Sequence, residues 1–269
     1  MKAAVFSDIH GNYVAFQACL DYALKQDIRT FIFLGDYLGE FPYPQRTMEL
    51  LYRLREEYTC YFIRGNKEDY WIDRTYNARC EWKNGNRTVG ALHYSYAGQT
   101  KKDLEFWQSL PIDQEITLAQ AKPLWACHRP PEKDCPHRYI LFGHTHLQSA
   151  AECDGRIRLN PGAVGVPLHS GGKTQFMILH QNGPEWHYEF VSLEYDRDRV
   201  IKEIQESGLD REAPYWSRVT KHLLSTGEVS HGTVLLHAMR LCEESGESCS
   251  WYNIPEQYWK LAIAQLIEC

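Results

Sequence analysis

The feature that most constrains the fold is a repetition: short apolar runs, each suited to a buried strand, stop abruptly at residues carrying carboxylate, amide or imidazole groups. The run 3–6 enters Ser7-Asp8-Ile9-His10-Gly11-Asn12, the run 31–34 stops at Gly35-Asp36, and the run 60–63 stops at Gly65-Asn66. Farther on, 124–127 precedes His128, 139–142 precedes Gly143-His144-Thr145-His146, and 156–159 precedes Asn160-Pro161-Gly162. Apolar runs bounded by Gly, Asn and Asp read as strands. In an open α/β sheet, the loops beyond the carboxyl ends of the strands are free to converge, so the repetition predicts one shared site.

Between these runs the spacing changes. Residues 14–24 place apolar side chains at helical intervals, with Asn12 as a natural N-cap, and 48–54 belongs to a second helix. The stretch 67–110 is aromatic-rich and helical in pattern, is broken by Asn84-Gly85-Asn86 and ends at Pro111, and is expected to cover one side of the site. Past Ile116 strand-like runs return, with two more near 175–179 and 186–191, and this half is expected to form a second sheet of its own. The expected architecture is α/β: two facing mixed β-sheets flanked by helices, an α-β-β-α sandwich. After about Tyr195 strand signals cease, and 200–207, 216–224, 234–242 and 257–267 read as a C-terminal helical appendage. The expected division is therefore a domain at 1–193 and a helical extension at 194–269.

Composition removes several classes of function. No apolar run approaches the roughly 20 residues that span a bilayer, and Asp8 interrupts the N-terminal run too early for a signal peptide. The nine cysteines are odd in number and include no C-x-x-C pair, so they read as reduced thiols and the protein as cytoplasmic. A net charge of −6 disfavours nucleic acid as a partner. A compact anion still binds where positive charge is local, as at a metal centre.

Singly, each strand-end motif reads as a turn, a cap or a packed histidine. Jointly, Asp8, His10, Asp36, Asn66, His128, His144 and His146 offer the imidazole nitrogens and carboxylate or amide oxygens that Mn, Fe, Zn, Ni or Mg accept. The ordered set D-x-H, GD, GN, H and GHTH resembles the calcineurin-like metallophosphoesterase superfamily, and the run from Asn160 to Pro167 resembles its small bacterial and archaeal phosphodiesterase branch. The resemblance spans about residues 1–193 and implies two divalent metal ions, manganese foremost. It implies that Asp8, His10, Asp36 and His146 hold the first ion and that Asp36, Asn66, His128 and His144 hold the second, with Asp36 as the bridge. The reaction so implied is phosphoester hydrolysis by a metal-bridging hydroxide, acting on a small phosphodiester, phosphomonoester or nucleotide polyphosphate. His144 and His146, two apart on an extended segment, are expected to point the same way.

The sequence departs from the family pattern after Asn66, where many members carry a histidine that assists the leaving group and this chain has Lys67. Lys67 and Arg64 are therefore candidate catalytic and phosphate-binding residues beside Asp36 and Asn66, and Arg129 a candidate substrate contact. Without the histidine, aryl phosphates and anhydrides suit the site better than unactivated alkyl esters. Tyr37, Glu40 and Phe41 are expected near the entrance. Of the remaining histidines, His169 is placed nearest the site, and His93, His137, His180, His187, His222, His231 and His237 are read as surface or core residues. Trp251, Tyr258 and Trp259 in the tail suit either an intramolecular lid or a contact in a homo-oligomer. The competing readings are a nuclease, which would need a basic track, and a metal-retaining scaffold protein that has lost catalysis.

Overall fold

The computed structural model describes residues 1–131 and 135–268. The first sheet is built on β1 (Lys2–Phe6), β2 (Thr30–Phe33) and β3 (Thr59–Phe62), made parallel by the connecting helices α1 (Tyr13–Lys25) and α2 (Pro44–Glu57). Asn12 caps α1, its side-chain oxygen accepting the Ala15 N–H at 3.1 Å. Successive side chains on a strand leave on opposite faces. Phe6, Phe31 and Phe33 accordingly pack against Phe16, Leu20 and Leu51 of the helices, while Val5 and Ile32 pack against Leu124, Leu141 and Leu159 of the other sheet. Strands apolar on both faces must be covered on both, and a two-sheet sandwich does this.

After α3 (Asn66–Tyr76), α4 (Gly90–Ala97) and α5 (Lys101–Ser109), the second sheet is formed by β4 (Asp113–Ile116), β5 (Leu124–Cys127), β6 (Tyr139–Leu141), β7 (Gln148–Cys153) and β8 (Arg156–Pro161). Its order is β4-β5-β6-β8-β7, with β5, β6 and β8 parallel. Sequence periodicity misses β4 and β7 because three of four residues in the first are polar and the second is an exposed edge strand.

The two strands that follow correct the expectation that the second half forms a sheet of its own. β9 (Thr174–Asn182) pairs antiparallel with β1, from Lys2 opposite His180 to Val5 opposite Met177, and β10 (Glu185–Leu193) extends that edge. The first sheet therefore runs β10-β9-β1-β2-β3, and the result is two mixed five-stranded sheets flanked by helices. Pairing between residues about 175 positions apart leaves no local trace in the sequence.

The remaining elements are α6 (Arg197–Glu206), the single turn α7 (Leu209–Glu212), α8 (Pro214–Thr226), α9 (His231–Glu244) and α10 (Glu256–Leu266). They share a core with the strand-bearing part, since Val219, Leu223, Trp259 and Ile263 cluster with Val14, Phe41, Ala91 and Val166. Trp259 is fully buried and its indole N–H donates to Thr88 Oγ1 at 3.0 Å. The Asn86 amide donates to the Ile254 carbonyl at 2.8 Å. Trp259 and Tyr258 are thus packed inside the chain, which removes them as an oligomer contact. Among the described residues no helix is long and apolar enough to cross a membrane.

Candidate metal centre

All seven residues of the strand-end set arrive at one edge of the sandwich, beyond the ends of β1, β2, β3, β5 and β6. The backbone there is unusual. Asp8, His10, Asp36, His144 and His146 all have φ between 53° and 66°, a region that side chains other than glycine avoid. This corrects the expectation of an extended His144–His146 segment: the chain is in a left-handed turn, and the two rings go to different neighbours. Close approach adds a second constraint. A Cβ on Gly65 would lie 2.3 Å from Asp36 Oδ1, and one on Gly143 would lie 1.9 Å from Ser7 Oγ, so glycine lets the strand ends meet.

Asp36 stands at the middle of the cluster. Its Oδ2 is 3.6 Å from His10 Nε2 and its Oδ1 is 3.6 Å from His128 Nε2. On the first side, Asp8 Oδ1 lies 3.7 Å from His10 Nε2 and 3.3 Å from His146 Nε2. On the second side, Asn66 Oδ1 is 3.0 Å from His128 Nε2, and the His144 ring sits 5.2 Å from that of His128. Donor atoms of Asp8, His10 and His146 lie within 4.8 Å of one another, as do those of Asp8, Asp36 and His128. Asp8 therefore borders both groups.

The hydrogen bonds around the cluster aim the Nε2 atoms of His10 and His128 into it. Glu40 accepts from His10 Nδ1, and the Leu34 carbonyl accepts from His128 Nδ1 at 2.7 Å, so each Nε2 faces the carboxylates and, once it gives up its proton, offers its lone pair there. Asp8 Oδ2 accepts from Ser7 Oγ at 2.6 Å and from the His144 N–H at 3.0 Å. Asp8 Oδ1 and His10 Nε2 are buried with no hydrogen-bond partner among the described residues. Buried orphan acceptors are costly, and a cation placed among them removes that cost, so this donor set fits divalent metal.

The proton equilibria point the same way. Burial opposes the charge of His10, but Glu40 beside it outweighs that and holds the ring up to about 10. Burial likewise opposes ionisation of Asp8 and is overcome by the charge of His146, so its carboxyl lies well below the usual range. His144 is lowered by burial and by the neighbouring His128 and Arg129, which keeps it available as a neutral ligand. These carboxylates attract positive charge whether it arrives as a proton or as a metal ion.

Around this centre the candidate substrate residues divide. Lys67 is buried, its Nζ is 2.5 Å from Glu40 Oε1, and its backbone N–H donates to Asp36 Oδ1 at 2.8 Å. Arg64 is ion-paired with Asp69 at 3.0 Å, and with Arg129 it lines a cleft of about 340 Å³ reaching Asn66 and His128. Tyr37 and Phe41 are packing residues with no exposure, or nearly none, and do not line the entrance; Glu40 does. Glu68 accepts the backbone N–H groups of Asp36, Tyr37 and Gly65 at 2.9 to 3.0 Å and so ties two strand ends together. His169 is exposed, bonded to Glu228 at 2.9 Å and outside the cavity. His231, read from sequence as a surface or core residue, is the additional histidine lining the cavity above His10, Asp36 and His146. Nothing in its local sequence signals this, because it is delivered by the packing of the tail.

Comparison with known proteins agrees with the geometry. An uncharacterised protein of Methanocaldococcus jannaschii is 25% identical over 244 residues, covering 79% of this chain and 94% of that protein. A hypothetical protein of Pyrococcus horikoshii OT3 has the same fold with a TM-score of 0.67 at 18% identity, covering 85% of this chain and 99% of that one. A metallophosphoesterase from Sphaerobacter thermophilus matches with a TM-score of 0.63 at 20% identity, covering 84% and 100%. The sequence model of the calcineurin-like phosphoesterase superfamily domain matches residues 1–183, well over half of the chain. A domain so matched, closing its strand ends around a clustered set of cation donors, means that this chain belongs to the calcineurin-like phosphoesterase superfamily.

Proposed function

We propose that the protein is a cytoplasmic, dinuclear metal-dependent phosphohydrolase that cleaves a small phosphodiester, phosphomonoester or nucleotide polyphosphate. The observation that carries this reading is the Asp36 carboxylate, which turns one oxygen toward His10 and the other toward His128. Asp8, His10, Asp36 and His146 hold one ion, and Asp36, Asn66, His128 and His144 the other. Manganese is the leading candidate and Fe, Zn, Ni or Mg are compatible with the donors. When bound, such ions polarise phosphoryl oxygens and acidify water. Residues 1–193 form the metal-binding domain, and 194–269 form a helical extension on the same core.

The chain's own residues shape the rest of the reaction. Burial alone would lower the pKa of the Lys67 ammonium, but Glu40 and Asp36 outweigh it and raise it. Lys67 therefore stays charged: it offsets negative charge on the phosphoryl group or leaving oxygen and is a poor proton donor. Leaving groups that need no proton, such as phenolates and phosphates, fit this arrangement. Arg64 and Arg129 supply guanidinium groups for a second phosphate or acidic substituent. The net charge of −6 and the small size of both clefts favour a compact substrate over a polynucleotide.

The test is hydrolysis of p-nitrophenyl phosphate and its bis-ester by wild type and Asp36→Asn with added manganese, alongside metal analysis of both proteins. Wild type should turn over at least one ester, and Asp36→Asn should lose ~100-fold or more in rate together with bound metal. Inactivity of wild type with Mn, Fe, Zn, Ni and Mg would replace this reading with the scaffold one.

A further inference from the structure

The metal-ligand cluster opens into a cavity of about 260 Å³ whose far wall comes from the helical extension. That volume is below the range of about 300 to 1,000 Å³ typical of drug-sized ligand pockets, so it holds one small ring or a short chain beside the phosphate. The character of the wall decides which. Tyr70 of α3 and Trp251, in the connection between α9 and α10, are half-buried at the cavity with their rings stacked at 5.5 Å and 21°. Leu92 of α4 and Leu235 of α9 add apolar surface, and Trp216 of α8 lies beneath His231 with ring centroids 5.0 Å apart. Two tryptophans, a tyrosine and two leucines give this wall flat apolar surface opposite a cluster of charged ligands.

The polar groups in the same wall are held in fixed orientations. The Thr220 hydroxyl donates to the Trp216 carbonyl at 2.9 Å, so its oxygen accepts from His231 Nε2 at 2.8 Å and the ring keeps its proton there. His231 Nδ1 is then an acceptor. The Trp216 indole N–H is buried without an acceptor among the described residues. His231 and Gly232 begin a 14-residue helix whose Thr233 N–H is capped by Ser230 Oγ at 3.1 Å, so among the described residues its free first-turn donors are the N–H groups of His231 and Gly232 themselves. One side of the cavity therefore suits phosphate and the other suits a planar ring edged with donors and acceptors.

We propose that the helical extension is the specificity element of the site, and that the substrate is a phosphoester or phosphoanhydride of a single-ring aromatic alcohol. The ring packs against Trp251 and the leucines while the phosphate faces the metal ligands. This inference rests on the phosphohydrolase reading. Trp251 is a binding residue here, and His231 and Trp216 shape the wall on which the ring lies.

The experiment compares binding of phenylphosphonate and methylphosphonate, which cannot be hydrolysed, to manganese-loaded protein by calorimetry and tryptophan fluorescence. Wild type should bind the phenyl compound about tenfold more tightly, the effect expected of ring stacking. In Trp251→Ala the ratio should fall toward one, and Trp251→Phe should restore most of it, with thermal melts confirming that both variants fold. Equal affinities in wild type, or a ratio unchanged in Trp251→Ala, would overturn the proposal while leaving the phosphohydrolase reading intact. A wild type that binds neither compound and hydrolyses no ester would overturn both.

Discussion

Glu40 is the residue on which most of the site's charge balance turns. Its carboxylate, itself buried, accepts from His10 Nδ1 and holds Lys67 Nζ, and these two cations outweigh burial to keep its pKa well below the ordinary value. It fixes the orientation of the His10 ring and the position of Lys67 in the cavity. Groups that orient metal-bound histidines typically contribute 10- to 100-fold to affinity. Glu40→Gln, which keeps the shape and one acceptor oxygen, should weaken manganese binding by about that factor in a competitive chelator titration. Unchanged affinity would show that His10 needs no such support. The seven candidate ligands were legible in the sequence because each ends an apolar run, whereas Glu40 was placed only at the entrance, since its partners lie 27 and 30 positions away.

The turn that follows β6 is where an element, rather than a side chain, sets the geometry. Gly143 lies against the end of β1 so closely that any side chain would strike Ser7 Oγ and Asp8 Oδ2. The His144 N–H then reaches Asp8, and Asn160 at the end of β8 donates to the Gly143 carbonyl at 2.7 Å. Gly143→Ala should cost about 1 to 3 kcal/mol in denaturant unfolding and lower metal content, as overpacking does. Adding Ser7→Ala removes the atom nearest the new methyl group and should recover part of both. If the single variant were neutral, the strand ends would have more freedom to separate than these distances imply.

For the molecule as a whole, the extension is a structural partner of the strand-bearing half, and His231 ties stability to pH. Burial pushes its ring down to about 3, against an ordinary value near 6.5, so the folded protein keeps it neutral while the unfolded chain takes up a proton. The depressed value means that this stabilisation is complete above pH 6.5 and is lost as pH falls toward 3. In chelator-treated protein, unfolding free energy should drop between pH 7.5 and 5 by about 2 kcal/mol more for wild type than for His231→Gln. Equal drops would show that the ring is solvated and that the α9 end is not packed as described.

The sequence by itself determined the strand-end motifs, the two-sheet class, the helical tail and the donor types of the site. Those properties are local: an apolar run of four residues, a glycine before an aspartate, a histidine pair two apart. Tertiary structure alone decided that β9 and β10 join the first sheet, that the His144–His146 turn is left-handed, and that Tyr70, His231 and Trp251 share the cavity with the candidate metal ligands. The physical reason is range. Hydrophobic burial is non-directional and does not name its partner, so which surfaces meet is settled only when strands and helices far apart in the chain compete to cover one another.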